Sequence, residues 1–119
     1  MKAGINITTI IEKRINDIQL IAISGRIDVI SAKDLEVILN NAIDNKSKII
    51  FDLSETEYIS STGLRVLLVA QKEIREKKGE MRFASPQPLI RNILDISGLS
   101  NIFSIHHNLK DAMDSLGSK

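Results

Sequence analysis

From Ile18 onward, short Ile-rich runs alternate with segments whose apolar residues recur at helical spacing, and this alternation limits the fold more than any other feature. "IQLIAISG" reads as a strand ending at Gly25. "KIIFDLS", apolar without alternation and ending in Asp52, reads as a strand buried on both faces. "EMRFAS" and "NIFSIH" read as two further strands. Between them lie "DVISAKDLEVILNNAIDNK", with Leu35, Ile38, Leu39, Ala42 and Ile43 in helical register, and "STGLRVLLVAQKEIREKKG", with Leu64, Leu67, Leu68 and Ile74. "PLIRNILDISG" and "NLKDAMDSLG" are shorter helices. Strand–helix alternation of this kind predicts a largely parallel sheet joined by right-handed crossovers.

The chain opens differently. Ile5, Ile7 and Thr9 alternate with polar or small residues as a first strand would, and Asn16-Asp17 between two β-branched runs predicts a hairpin turn. Helix boundaries carry their own signals. Ser31 is expected to cap the first helix, with Asp34 three residues later completing a capping box. The second helix should begin at Ser61, turn basic at its far end and stop at Gly79. Pro86 and Pro88 break the chain before the third, which should stop at Gly98.

Composition then removes several function classes. The 119 residues suit one domain; 43% are apolar, enough for one core, and 26% are charged. With 3% aromatics and no Trp, that core is expected to be Ile, Leu and Val. A net charge of +1, from 16 basic and 15 acidic residues, gives no electrostatic reason for a direct nucleic-acid or membrane partner. Cysteine is absent, which excludes disulfides, thiolate catalysis and Cys-ligated zinc. "MKAGINITTIIEKR" lacks the apolar core of a signal peptide, and no run approaches the ~18 apolar residues of a membrane span. A soluble, cytoplasmic protein is expected.

No phosphate-binding glycine loop and no GxSxG nucleophile elbow is present. His106 and His107 are adjacent, so on a strand or turn they should point in different directions and not share a metal. The mixed charges of "KEIREKKGE" suit a solvated helix end. What stands out is "YISSTGLRVLL": Ser60, Ser61, Thr62 and Gly63 precede an apolar helix, directly after the carboxyl end of a buried strand. In open α/β sheets that edge is where functional sites lie. Spacing alone favours simple helix capping by these hydroxyls. A phosphate on Ser61 would add about 1.5–2 negative charges, which a helix N-terminus tolerates, while still blocking a docked partner.

"FDLSETEYISSTGLRVLL" resembles the signature segment of the STAS domain family, specifically the stand-alone bacterial anti-sigma factor antagonists (anti-anti-sigma factors). "SGRIDVISAKDLEVIL" is similar to that family's Gly-x-hydrophobic-Asp segment, and "LIRNILDISGLSNIFSIHHNLKDAM" to its closing helix, Ser-Gly-Leu turn, last strand and final helix. The resemblance implies an α/β STAS fold: a mixed sheet of four to five strands with about four helices packed against it, one domain over residues 1–119. It implies a partner-switching phosphoprotein, not an enzyme, that regulates transcription. The unphosphorylated form would bind an anti-sigma factor serine kinase and release the sigma factor; phosphorylation would switch binding off, and a serine phosphatase would restore it.

By position in the motif, the phosphorylated residue is Ser61, with Ser60 as the alternative because many antagonists carry an aspartate where this chain has Ser60. Asp28 and Asp52 match acidic positions near that serine; as local structure they also suit a turn former and a helix or turn cap. Ser60, Thr62, Gly63 and Leu64 would shape the helix start and contribute to partner binding. Arg65, where small residues are common in the family, would partly offset a phosphate at Ser61. Neither metal nor cofactor is implied. The other reading is a STAS interaction module serving a different partner, in a signalling phosphatase pathway or a lipid-transport assembly.

Overall fold

A computed structural model describes residues 8–117 of the chain. The fold opens with a hairpin: β1 (Thr9–Ile15) and β2 (Ile18–Ile27) pair antiparallel, with Ile15 opposite Ile18. Asn16 turns the corner at a left-handed φ of 57°, a region Asn enters more readily than most residues. Of the expected first strand, Thr9 begins β1, while Ile5 and Ile7 lie outside the described residues.

β2 does not end at Gly25. That glycine has φ 99° within a ten-residue strand, and opposite the step from it to Arg26 the partner strand carries an extra residue, Glu57, between Thr56 and Tyr58. Before Gly25, β2 pairs in parallel with β3 (Lys48–Asp52); from Gly25 on, it pairs in parallel with β4 (Thr56–Ile59). The sequence pattern assigns no strand to this "TEYI" segment. Thr56 explains the difference: it is fully buried, and its hydroxyl donates to the Ile23 carbonyl at 2.7 Å.

Two more parallel strands, β5 (Glu80–Ala84) and β6 (Ile105–His106), complete the order β1-β2-β3-β5-β6 with β4 on β2. Among the described residues the sheet therefore has six strands, one more than the upper expectation, and the addition is β4. β6 is shorter than "NIFSIH" suggested, because Leu99–Asn101 forms a 3-10 turn ahead of it.

Side chains of alternate sign along each strand feed two apolar layers. Ile21, Ile23, Ile49, Phe51, Met81 and Phe83 face α1 (Val29–Ala42), α2 (Ser61–Glu76) and α3 (Pro88–Ile96). Ile18, Leu20, Ile50 and Ala84 face α4 (Leu109–Ser115) on the opposite side. β3 is thus buried on both faces, as its unalternating run implied. The core is not purely aliphatic. All three phenylalanines meet, with ring centroids 5.1 Å apart for Phe51–Phe83 and 4.6 Å for Phe83–Phe103.

Two helix ends differ from expectation. α1 is capped by Asp28, not Ser31; Ser31 is the third helical residue and the other half of the capping box. α2 is followed by Lys77 and then Lys78, which takes the left-handed φ of 62° that a terminating glycine would normally hold. Gly79 serves another purpose: a Cβ there would collide with the backbone of Ser47, with its N at 2.9 Å. α3 ends as the sequence predicts, with Gly98 left-handed at φ 81°.

Candidate functional site

The site is built by the parallel pairing of β2 and β4. Ile27 and Ile59 are register partners, so the residues that follow them, Asp28 and Ser60, leave the sheet side by side. Adjacent strands lie about 4.8 Å apart, and each of these two residues immediately caps a helix. The Ser60 N–H donates to the Ile27 carbonyl at 2.8 Å, tying the two exits together. Two helix N-termini therefore stand next to each other at the carboxyl edge of the sheet.

At the first of them, Asp28 Oδ1 accepts from the N–H groups of Ile30 and Ser31 at 3.1 and 2.9 Å. The Ser31 hydroxyl accepts from the Asp28 N–H at 2.9 Å. The Ser31 N–H, followed by the Ser31 hydroxyl, holds the Asp28 carboxyl below the ordinary aspartate value. This carboxylate is ionised and fixed at neutral pH.

At the second, the division of labour among the hydroxyls becomes visible. Ser60 is the N-cap: its Oγ accepts from the Gly63 N–H at 3.1 Å, and its carbonyl accepts from Leu64 at 2.9 Å. Ser61 and Thr62 are the first two helical residues and both are exposed. Among the described residues, neither hydroxyl has a hydrogen-bond partner. They share a shallow hollow of about 310 Å³ with Arg65, one turn further along α2.

Gly63 is buried, and it sets how closely α2 approaches the sheet. A Cβ there would lie 2.7 Å from Ile27 Cγ2 and 3.0 Å from Ile59 Cγ2. It shapes the helix start from a buried position. Leu64 is half-buried against the main core. Asp52 is not brought to the site. It pairs opposite Ala22, five residues before Ile27, which places it roughly 16 Å back along the sheet at ~3.3 Å per residue. There it caps the following turn, accepting from the Ser54 N–H at 3.0 Å.

Sequence reasoning missed two features beside Asp28. Val29 and Ile30, at the first turn of α1, are 57% and 75% exposed and form an apolar step next to the hydroxyls. Their signal was present: both fall outside the helical register that runs from Leu35. Arg26 stacks over the Tyr58 ring at 4.5 Å, joining β2 to β4 just below the site. Away from the site, His106 and His107 line one hollow with Pro86, Pro88 and Arg91, so they do face a common space. Among the described residues no cluster of metal-binding side chains occurs, and no helix is long and apolar enough to cross a membrane.

The family model of the STAS domain matches residues 9–112. The chain belongs to the STAS domain family. This STAS domain is 30% identical over 100 residues to the anti-sigma-B factor antagonist of Bacillus subtilis, covering 84% of this chain and 91% of that one. Its fold is that of an anti-sigma factor antagonist from Mycobacterium paratuberculosis, with a TM-score of 0.84, 22% identity and coverage of 93% and 95%. It is also that of the anti-sigma factor antagonist SpoIIAA in its unphosphorylated form, with a TM-score of 0.80, 18% identity and coverage of 93% and 98%. SpoIIAA from Bacillus has been solved in a phosphorylated form as well. At these identities the two solved proteins speak to the fold alone.

Proposed function

We propose that this chain is a single-domain bacterial anti-sigma factor antagonist, acting in the cytoplasm and switched by phosphorylation of Ser61. One observation carries the choice of residue: Ser61 is exposed and unengaged at the first position of α2, whereas the Ser60 hydroxyl is committed to capping that helix. A kinase needs a hydroxyl it can reach and turn. Relatives with the antagonist name, such as that of Bacillus subtilis, support the partner class.

In this reading the unmodified surface, with Ser61, Thr62 and Arg65 on one helix start and Asp28, Val29 and Ile30 on the other, docks on an anti-sigma factor that is also a serine kinase. Ser61 Oγ attacks the γ-phosphorus of the kinase's ATP. An Oγ–P bond forms, the bond to the bridging oxygen breaks, ADP leaves, and the hydroxyl proton passes to a base on the kinase. A phosphatase reverses the state by hydrolysing the ester. Weakening a micromolar contact to beyond millimolar takes about 4 kcal/mol, within the effect of one dianion desolvated at an interface. The chain itself acts as a binding module in this reading, in keeping with relatives that carry the antagonist name.

The test pairs binding with phosphate incorporation. Ser61→Ala should bind the kinase and take up no phosphate, Ser61→Asp should lose binding, and Ser60→Ala should still be modified. Incorporation that persists in Ser61→Ala overturns the site. Unchanged binding across all three variants moves the protein to a different partner.

A further inference from the structure

We propose that the phosphoryl group on Ser61 is captured in cis by Arg65, so that modification both adds a dianion and withdraws a cation from the docking surface. The inference rests on the phosphoserine reading above and concerns what the modified site does.

Its basis is the arrangement around the Ser61 hydroxyl. Ser61 and Arg65 are four residues apart on α2, the spacing at which side chains on a helix meet, and with Thr62 they line one hollow. The Arg65 side chain is exposed, and the ion pairs among the described residues do not include it. Donors from the backbone also remain free. The Gly63 N–H goes to Ser60 Oγ and the Leu64 N–H to the Ser60 carbonyl, but the N–H groups of Ser61 and Thr62 have no acceptor among the described residues.

A phosphate on Ser61 would therefore meet those two amides, the Thr62 hydroxyl and the Arg65 guanidinium, on the positive end of a helix. Of the charged groups nearby, Glu36 and Glu73 share a separate groove with Arg65 on the α1 side, and neither is paired with it. Arg26 is stacked on Tyr58, and the Asp28 carboxylate is bound to the start of α1. Arg65 is the cation that shares the hollow.

Two states of Arg65 follow. In the unmodified chain it stands free beside Ser61 and can meet an acidic group on the partner. In the modified chain it folds back on the phosphate. The surface then changes at two points for one modification, which makes the two forms more different to a partner than charge addition alone would.

The experiment uses chain with phosphoserine placed at position 61 during translation, so no kinase is required. The second pKa of the phosphate, ordinarily about 6, is read by phosphorus NMR across pH. The unsubstituted phosphoprotein should titrate about 0.3 unit below its Arg65→Gln variant. Lys72→Gln, which removes a positive charge further along α2, should leave the value in place. The Arg65 Nε–H resonance should also move on phosphorylation. Equal values in Arg65→Gln and the unsubstituted protein overturn the capture, as does an equal shift from Lys72→Gln. If titration depends on Arg65 but no kinase modifies Ser61, the capture stands and the proposed function fails. If a kinase modifies Ser61 and the titration ignores Arg65, the reverse holds.

Discussion

Asp28 and Ser31 cap each other: the Ser31 N–H donates to Asp28 Oδ1 at 2.9 Å, and the Asp28 N–H donates to Ser31 Oγ at 2.9 Å. Because the Ser31 N–H and then the Ser31 hydroxyl donate to the carboxylate, the folded-state pKa of Asp28 lies below its unfolded value near 3.8. The stability it contributes is present above the unfolded value and is lost as pH falls through the folded one. Asp28→Ala should lower the melting temperature by a few degrees at neutral pH. Asp28→Asn should keep most of the cap and lose part of the acid-side slope. Melting curves between neutral and acid pH separate the two. Asp28→Asn also tests a role in docking without removing the helix start.

Ser60 and Ser61 should separate cleanly by stability. Ser60→Ala removes the N-cap of α2 and should cost about 1 kcal/mol, within 0.5–2. Ser61→Ala removes an exposed hydroxyl and should stay within ±0.5 kcal/mol. Urea unfolding of both variants checks this, and a larger loss for Ser61→Ala would reverse the assignment of cap and free hydroxyl.

Gly63→Ala should be costly for a steric reason. The new methyl would meet Ile27 and Ile59 at 2.7 and 3.0 Å, forcing α2 away from the strands. A loss of about 1–3 kcal/mol is expected. Partner binding should weaken as well, because Ser61 and Thr62 ride on the displaced turn. Ala tolerated at full stability would mean that α2 approaches the sheet less closely than described.

Lys78 and Gly79 make an opposed pair. Lys78 holds φ 62°, so Lys78→Gly should stabilise by about 0.5 kcal/mol. Gly79→Ala should destabilise by about 1–3 kcal/mol, since the obstacle is the Ser47 backbone rather than a mobile side chain. Denaturant midpoints of the two variants should move in opposite directions.

Much of this was legible in the chain. The Asn16-Asp17 hairpin, the doubly buried β3, the helix that begins among the hydroxyls and the stop at Gly98 all leave a signal within a few residues of chain. Local signals misled where two residues could fill the same role. Ser31 and Asp28 both suit an N-cap, and Gly79 and Lys78 both follow a helix end. Composition also misled: three phenylalanines are few, yet they meet at the centre of the core.

An α/β chain with a hydroxyl-rich helix start after a buried strand follows from local pattern alone. What stands beside that start depends on pairing between distant strands. β4 exists because β2 continues past Gly25 and offers it an edge, and Thr56 anchors it to Ile23 across 33 residues of chain. The same register pairs Ile27 with Ile59, bringing Asp28 to Ser60 while leaving Asp52 far down the sheet. Periodicity reports which way a side chain faces its own element; it carries no information on which distant strand lies alongside. That is set by hydrogen bonds and packing between segments far apart in sequence.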